Sequence, residues 1–187
     1  MAVAGIILSA GGSTRMGTCK ALLKHPSGAT MLEAHVQALS SCCTEIIIVA
    51  GAHYKDIQAR LPAGCQLVKN PDWNKSDPFA SLVLGLKETC AKSVLVTPVD
   101  TPPATTAELS RLLDQPHTAV LSWQEQAGHP VLLRPDVLAR IHAGEQPRSG
   151  LRSFLEDAHH VPAKTPAAIA SWNTLKQWQA WHDSTRA

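Results

Sequence analysis

The sequence opens with an apolar run, Val3 to Leu8, that passes directly into a loop carrying Gly11, Gly12 and Gly17. That junction constrains the fold more than any other feature. A short apolar run bounded by glycine reads as a buried strand. In an open α/β sheet, the loop at a strand's carboxyl end is where ligands bind. The pattern then repeats, with short β-branched runs alternating with helical stretches along the whole chain. This is the signature of α/β units, and it predicts a Rossmann-like three-layer sandwich with a mostly parallel sheet.

Strands are expected over Val3–Leu8, Glu45–Ala50, Gln66–Val68, Ser93–Thr97, Thr118–Ser122, Pro130–Leu133 and His160–Pro162. Helices are expected over Met31–Ser41, Tyr54–Leu61, Phe79–Cys90, Thr106–Leu113, Pro135–His142, Gly150–Asp157 and Leu175–His182. In the first of these helices Leu32, His35, Val36 and Leu39 share one face. Thr105 or Thr106 is placed to cap the fourth. Trp172, Trp178 and Trp181 are expected to pack the C-terminal segment on the sheet.

The 187 residues fit one domain, residues 1–187, with 44% apolar and 17% charged residues. The net charge is +2 and there is no dense Lys/Arg run, which argues against a nucleic-acid partner. The apolar stretch from Ala2 to Ala10 is too short to span a bilayer and has no basic segment before it. A cytoplasmic protein with no membrane partner is therefore expected. Five irregularly spaced cysteines, Cys19, Cys42, Cys43, Cys65 and Cys90, form no CxxC pair. They read as reduced thiols rather than a disulfide or zinc framework.

Three readings compete for the glycine loop. A P-loop needs GxxxxGK[ST], but Thr18-Cys19 follows Gly17. A dinucleotide fingerprint needs GxGxxG and an acid at the end of the second strand, which here ends Val49-Ala50-Gly51. The segment Leu8 to Lys20 instead fits LxxGxSxRMGxxK at each fixed position, the pattern of a nucleotidyltransferase loop.

Further motifs follow in order: Thr30-Met31-Leu32-Glu33, Ile46–Gly51, Asn70-Pro71-Asp72-Trp73, Ser81-Leu82 with Gly85-Leu86, Pro98-Val99-Asp100-Thr101-Pro102, Gly128-His129-Pro130 and Gly150-Leu151-Arg152. With the loop, they make the chain resemble the molybdenum-cofactor nucleotidyltransferases, which attach CMP or GMP to molybdopterin. The fold implied is that of nucleotide-diphospho-sugar transferases. The partners implied are CTP or GTP, the molybdopterin cofactor and a molybdoenzyme acceptor.

The resemblance also implies roles for single residues. Ser9, Ala10, Gly11 and Gly12 would form the nucleotide cradle, with Lys20 and Arg15 offsetting phosphate charge. Asp100 would hold Mg²⁺, with Asn173 as a second ligand where the family more often has a (D/N)-x-(D/N)-T-P-E-type segment; here the stretch reads Ser171-Trp172-Asn173-Thr174-Leu175-Lys176. Asn70 would meet the base or ribose. Each has a plainer alternative. Arg15 could brace the loop, Lys20 could be a solvated surface lysine, Asp100 and Asn70 could sit in turns before Pro102 and Pro71, and Asn173 could cap the last helix. Ala10 resembles the CTP-using branch, so CMP transfer from CTP is expected. His129 would lie on the substrate side, and Arg148 and Arg152 are candidates for a phosphate. Adjacent His159 and His160 are expected to point to opposite faces of a strand. The rivals to this reading are transfer to another phosphorylated acceptor, and a non-catalytic cofactor-binding protein.

Overall fold

All seven strands join one sheet in the computed structural model, which describes residues 2–185. The strands are β1 (Val3–Ser9), β2 (Glu45–Ala50), β3 (Cys65–Lys69), β4 (Ser93–Pro98), β5 (Ala119–Trp123), β6 (Gln126–Leu133) and β7 (His159–Pro162). Their order across the sheet is β3-β2-β1-β4-β6-β5-β7. The β3-β2-β1-β4 half is parallel. β6 runs antiparallel to both β4 and β5, and β7 returns parallel to β5.

Both faces of the sheet are buried, and strand alternation divides the core in two. Ile7, Ile46, Ile48, Leu95, Leu121 and Leu132 face one layer, whereas Ile6, Ile47, Val49, Val96, Val120 and Val131 face the other. Helices α1 (Met31–Ser40), α2 (Tyr54–Gln58) and α4 (Thr106–Leu113) cover the first face through Leu32, Leu39, Ile57, Leu109 and Leu112. Helices α3 (Pro78–Leu86) and α5 (Pro135–His142) cover the second through Leu82, Leu86, Val137, Leu138 and Ile141. The expected three-layer sandwich is what forms.

Local chemistry sets the helix starts. Thr30 and Glu33 form a capping box that begins α1, and Thr105 and Glu108 form another that begins α4. Asp77 accepts from the Ala80 amide ahead of α3, with Pro78 in its first turn. Thr174 and Gln177 box the start of α6 (Leu175–Ser184). Trp172, just before it, is buried on the sheet and stacks on Trp181 with ring centres 4.5 Å apart.

Some expectations are corrected. Gly150–Asp157 is not a helix. Gly150 takes a positive φ of 59°, and only a short 3₁₀ turn, Arg152–Phe154, follows. Phe154 pins this segment by stacking on Phe79 at 5.5 Å. The third helix ends at Leu86 rather than Cys90, and Thr89 beyond it bonds the Glu45 carboxylate. β6 begins at Gln126, four residues earlier than expected, since Gln124 and Glu125 (φ 49° and 66°) form a tight hairpin turn. Among the described residues no helix is long and apolar enough to cross a membrane.

Candidate active site

β1 and β4 are neighbours, and the chain leaves them in opposite directions across the sheet. Their carboxyl ends are therefore the switch point at which an open α/β sheet forms its crevice. The loop Ser9–Lys20 leaves β1 there, and the Pro98–Thr101 turn leaves β4 beside it. Between them opens a cavity of about 470 Å³.

One wall of the cavity is the glycine loop, through Ser9, Ala10, Gly11 and Ser13. Among the described residues, the amides of Ala10, Gly11 and Gly12 meet no protein acceptor, whereas those of Met16 and Gly17 donate to the Ser13 carbonyl. Free N–H donors at a strand's carboxyl end are the kind of group that can meet an anion. Trp73 packs across this loop. A Cβ on Gly12 would stand 2.8 Å from Trp73 Cζ3, and one on Gly51 would collide with the Ala10 carbonyl and Trp73 Cβ. Only glycine at both positions lets the indole close that side.

The charged centre joins three parts of the chain. Lys20 Nζ donates to Asp100 Oδ2 at 2.7 Å and to Asn173 Oδ1 at 3.2 Å. Its side chain is only 13% exposed, and that of Asp100 26%. Asn173 is not the helix cap, which is Thr174. Its side-chain oxygen faces the lysine instead. Two hard oxygens facing one cation is a donor set that suits a divalent ion completing its shell with phosphate oxygens and water. Among the described residues no group of three or more His, Cys, Asp or Glu side chains gathers for a metal. A cation here would therefore need a phosphate-bearing ligand as well.

The Asp100 turn is held from several sides. The Val99 amide donates to Leu8 O at 3.0 Å, Thr101 Oγ1 to Pro98 O at 2.8 Å, and the Trp172 amide to Asp100 O at 3.2 Å. His35 Nε2 lies 2.9 Å from the Thr101 carbonyl. Burial pushes the His35 imidazole down to about 4, so it is neutral and its Nε2–H donates.

The sequence-based candidates separate here. Ser9, Ala10, Gly11, Lys20 and Asp100 line the cavity, and Asn173 joins them through Lys20. Gly12 does not line the cavity but leaves the space beneath Trp73. Arg15 is exposed and does not line the cavity. Asn70 does not reach it either. It is 2% exposed and spends its side chain on Ser76 Oγ, Ser81 Oγ and the Asp72 amide. Those bonds shape the segment that supplies Trp73, Asp77, Pro78 and Phe79 to the wall.

His129 on β6 lines the cavity, and among the described residues its buried Nδ1 has no partner. Burial lowers its pKa while the Asp100 charge raises it, with burial the stronger. Arg148 and Arg152 are exposed outside the cavity, though Gly150 and Leu151 between them line it. Cys19 also lines it, and burial pushes its thiol up, away from nucleophilic use.

Sequence reasoning missed the apolar half of the wall, Phe79, Leu82, Val96 and Leu151, because each also fits an ordinary core pattern. It also read His35 only as part of a helix face. The signal available was a histidine among otherwise apolar inward positions.

Among known proteins, a probable molybdenum cofactor guanylyltransferase of Rhodopirellula baltica is 29% identical over 203 residues, covering 97% of this chain and 92% of that protein. A molybdenum cofactor guanylyltransferase of Xanthomonas euvesicatoria is 30% identical over 185 residues, covering 93% and 91%. The solved structure of a nucleotidyl transferase from Methanothermobacter superposes with a TM-score of 0.82, at 22% identity over 98% of this chain and 97% of that one, a likeness of fold. The MobA-like NTP transferase domain matches residues 5–163, most of the 187, and the chain belongs to that family.

Proposed function

We propose that the protein is a nucleotidyltransferase of molybdenum cofactor biosynthesis, moving a nucleoside monophosphate from CTP or GTP onto molybdopterin. The observation that carries this is the convergence of Lys20, Asp100 and Asn173 beside a loop with three unpaired amides. In the reaction an oxygen of the acceptor phosphate bonds to the α-phosphorus of the nucleotide. The bond from that phosphorus to the β-phosphate oxygen breaks, and pyrophosphate leaves.

This chemistry asks for positioning and charge neutralisation rather than covalent work by the protein. The amides of Ala10, Gly11 and Gly12 bind the triphosphate. The Lys20 ammonium offsets charge that builds on the leaving pyrophosphate. Asp100 and Asn173 would hold Mg²⁺, which supplies further neutralisation and orients phosphate oxygens when bound. Trp73, Phe79 and Leu151 exclude water from the cavity wall. Asn70 serves the nucleotide through the segment it braces, and Arg15 would reach a phosphate only from outside the wall.

Two observations divide over the base. Ala10 in the cradle favours CTP, whereas the names of the two relatives favour GTP. The test is pyrophosphate release with Mg²⁺ and molybdopterin, comparing CTP, GTP, ATP and UTP, in the wild type and in Ala10→Gly. Turnover with CTP that shifts toward GTP in Ala10→Gly supports the cytidylyl reading. Turnover with GTP alone in both keeps the enzyme class and removes that reading. Absence of turnover with all four overturns transfer to this acceptor.

A further inference from the structure

The turn that carries Asp100 rests on a buried polar contact from a helix outside the cavity. α1 buries six residues, Met31, Leu32, Ala34, His35, Val36 and Leu39, and His35 is the one polar side chain among them. It is 1% exposed, and Thr101, which it meets, is 2% exposed. Packing alone would be served by leucine at this position. What histidine adds is a rigid donor that reaches the Thr101 carbonyl at 2.9 Å.

The remaining bonds show why that donor matters. Of the turn's carbonyls, Pro98 O accepts from the Thr101 hydroxyl, Asp100 O from the Trp172 amide, and Thr101 O from His35. The first contact is internal to the turn and the second comes from the C-terminal segment. His35 is the tie to α1. Without it, a buried carbonyl beside Asp100 would lack its donor, and the turn would move to find one.

We propose that His35 is a positioning residue: its imidazole, by holding Thr101, fixes the direction in which the Asp100 carboxylate faces Lys20 and a nucleotide-bound metal. This rests on the nucleotidyl-transfer reading for the kinetics, but not for the geometry. His35 touches neither nucleotide nor acceptor in this role. It acts through one backbone carbonyl, as outer partners of metal ligands commonly do.

The test compares His35→Gln, His35→Asn and His35→Leu in the full chain. The Gln amide nitrogen can take the place of Nε2, whereas Asn is a methylene too short and Leu has no donor. Three readouts are taken: thermal melting, Mn²⁺ binding in the presence of CTP or GTP by the resonance of the free ion, and kcat and KM for pyrophosphate release. His35→Gln should stay within about threefold of wild type, while Asn and Leu should bind Mn²⁺ about 10–100-fold more weakly. Their kcat should fall with it, and KM for the nucleotide should move less.

Equal Mn²⁺ binding in all four proteins overturns the proposal. So does a Gln variant as impaired as Leu, which would make the role one of shape. If Leu fails to fold, the Gln and Asn pair still decides. If the wild type releases no pyrophosphate but Mn²⁺ binding falls in Asn and returns in Gln, the positioning role stands and the transfer reading falls.

Discussion

The amide of Trp172 donates to the carbonyl of Asp100 at 3.2 Å, and this bond brings the C-terminal segment to the end of β4. Trp172 is itself anchored in the core, 1% exposed and stacked on Trp181. The residue after it, Asn173, is thereby carried to within 3.2 Å of the Lys20 ammonium. The segment that brings Asn173 to Lys20 is thus positioned by an aromatic anchor rather than by its own loop.

Replacing Asn173 with aspartate puts a second carboxylate beside Asp100 where both face the Lys20 ammonium. The expected result is tighter divalent binding in the nucleotide-bound protein, by about tenfold, a scale set by coordination-shell changes in metal sites. Mn²⁺ titration with CTP or GTP present measures it. Asp100→Ala should abolish that binding. If Asn173→Asp binds no more tightly, Asn173 is a partner of Lys20 and not of the metal.

A divalent ion held by Asp100 and Asn173 would compete with Lys20 for the same two oxygens, so Lys20→Met should separate binding from turnover. Without nucleotide, Mn²⁺ affinity should rise, because the ammonium no longer occupies Asp100 and Asn173. Turnover should fall by about 10²–10³-fold, the usual cost of removing a group that stabilises developing charge. The two readouts moving in opposite directions is the signature. A parallel loss of both would make Lys20 a structural brace.

Much of this was legible in the chain. The strand-to-glycine junction after Val3–Leu8 places the glycine loop, and Asp100 follows an apolar strand, so both reach one edge of a parallel sheet. The capping boxes at Thr30 and Thr105 could be read from their spacing to Glu33 and Glu108. Asn173 was harder, because its place depends on Trp172 packing far from the loop in sequence. Asn70 was the reverse case. A polar residue before Pro71 in a ligand-side loop looks like a contact, yet its hydrogen bonds all go inward. His35 was hidden because a helical period shows which side is buried but not what a polar side chain on it bonds.

Stability should fall with acid through His35. Its folded pKa is lowered from 6.5 to about 4, so between those values the unfolded chain binds more protons than the folded one. Stability is therefore full above about pH 6.5 and lost as pH falls toward 4. The loss should be about 3 kcal/mol, because each tenfold difference in proton affinity between the two states is worth about 1.4 kcal/mol. Burial also lowers His25 and His129, which act in the same direction. The share of His35 is read as the difference between wild type and His35→Gln in urea unfolding at pH 7 and pH 4.5. From pH 7 to pH 4.5 wild type should lose more stability than His35→Gln. A pH-independent gap would mean that His35 is not the titrating group.

Asn70 offers the last test, because its expected effect is on the wall and not on chemistry. Its Nδ2 donates to Ser76 Oγ at 3.1 Å and to Ser81 Oγ at 2.9 Å, and its Oδ1 accepts from the Asp72 amide at 2.9 Å. Alanine would strand these partners in a segment that closes the cavity with Trp73 and Phe79. The cost should be about 2–4 kcal/mol, from leaving buried polar groups unmet. Melting should drop by roughly 5–15 °C for a chain of this size. KM for the nucleotide should rise while kcat at saturation changes little, since Lys20 and Asp100 do not touch this segment. Asn70→Asp keeps the acceptor for the Asp72 amide, and the Ser81 hydroxyl can rotate to donate, while Ser76 already donates to the Asp72 carbonyl; its loss should fall between wild type and Asn70→Ala. A large loss of kcat with unchanged melting would instead put Asn70 in direct contact with the substrate.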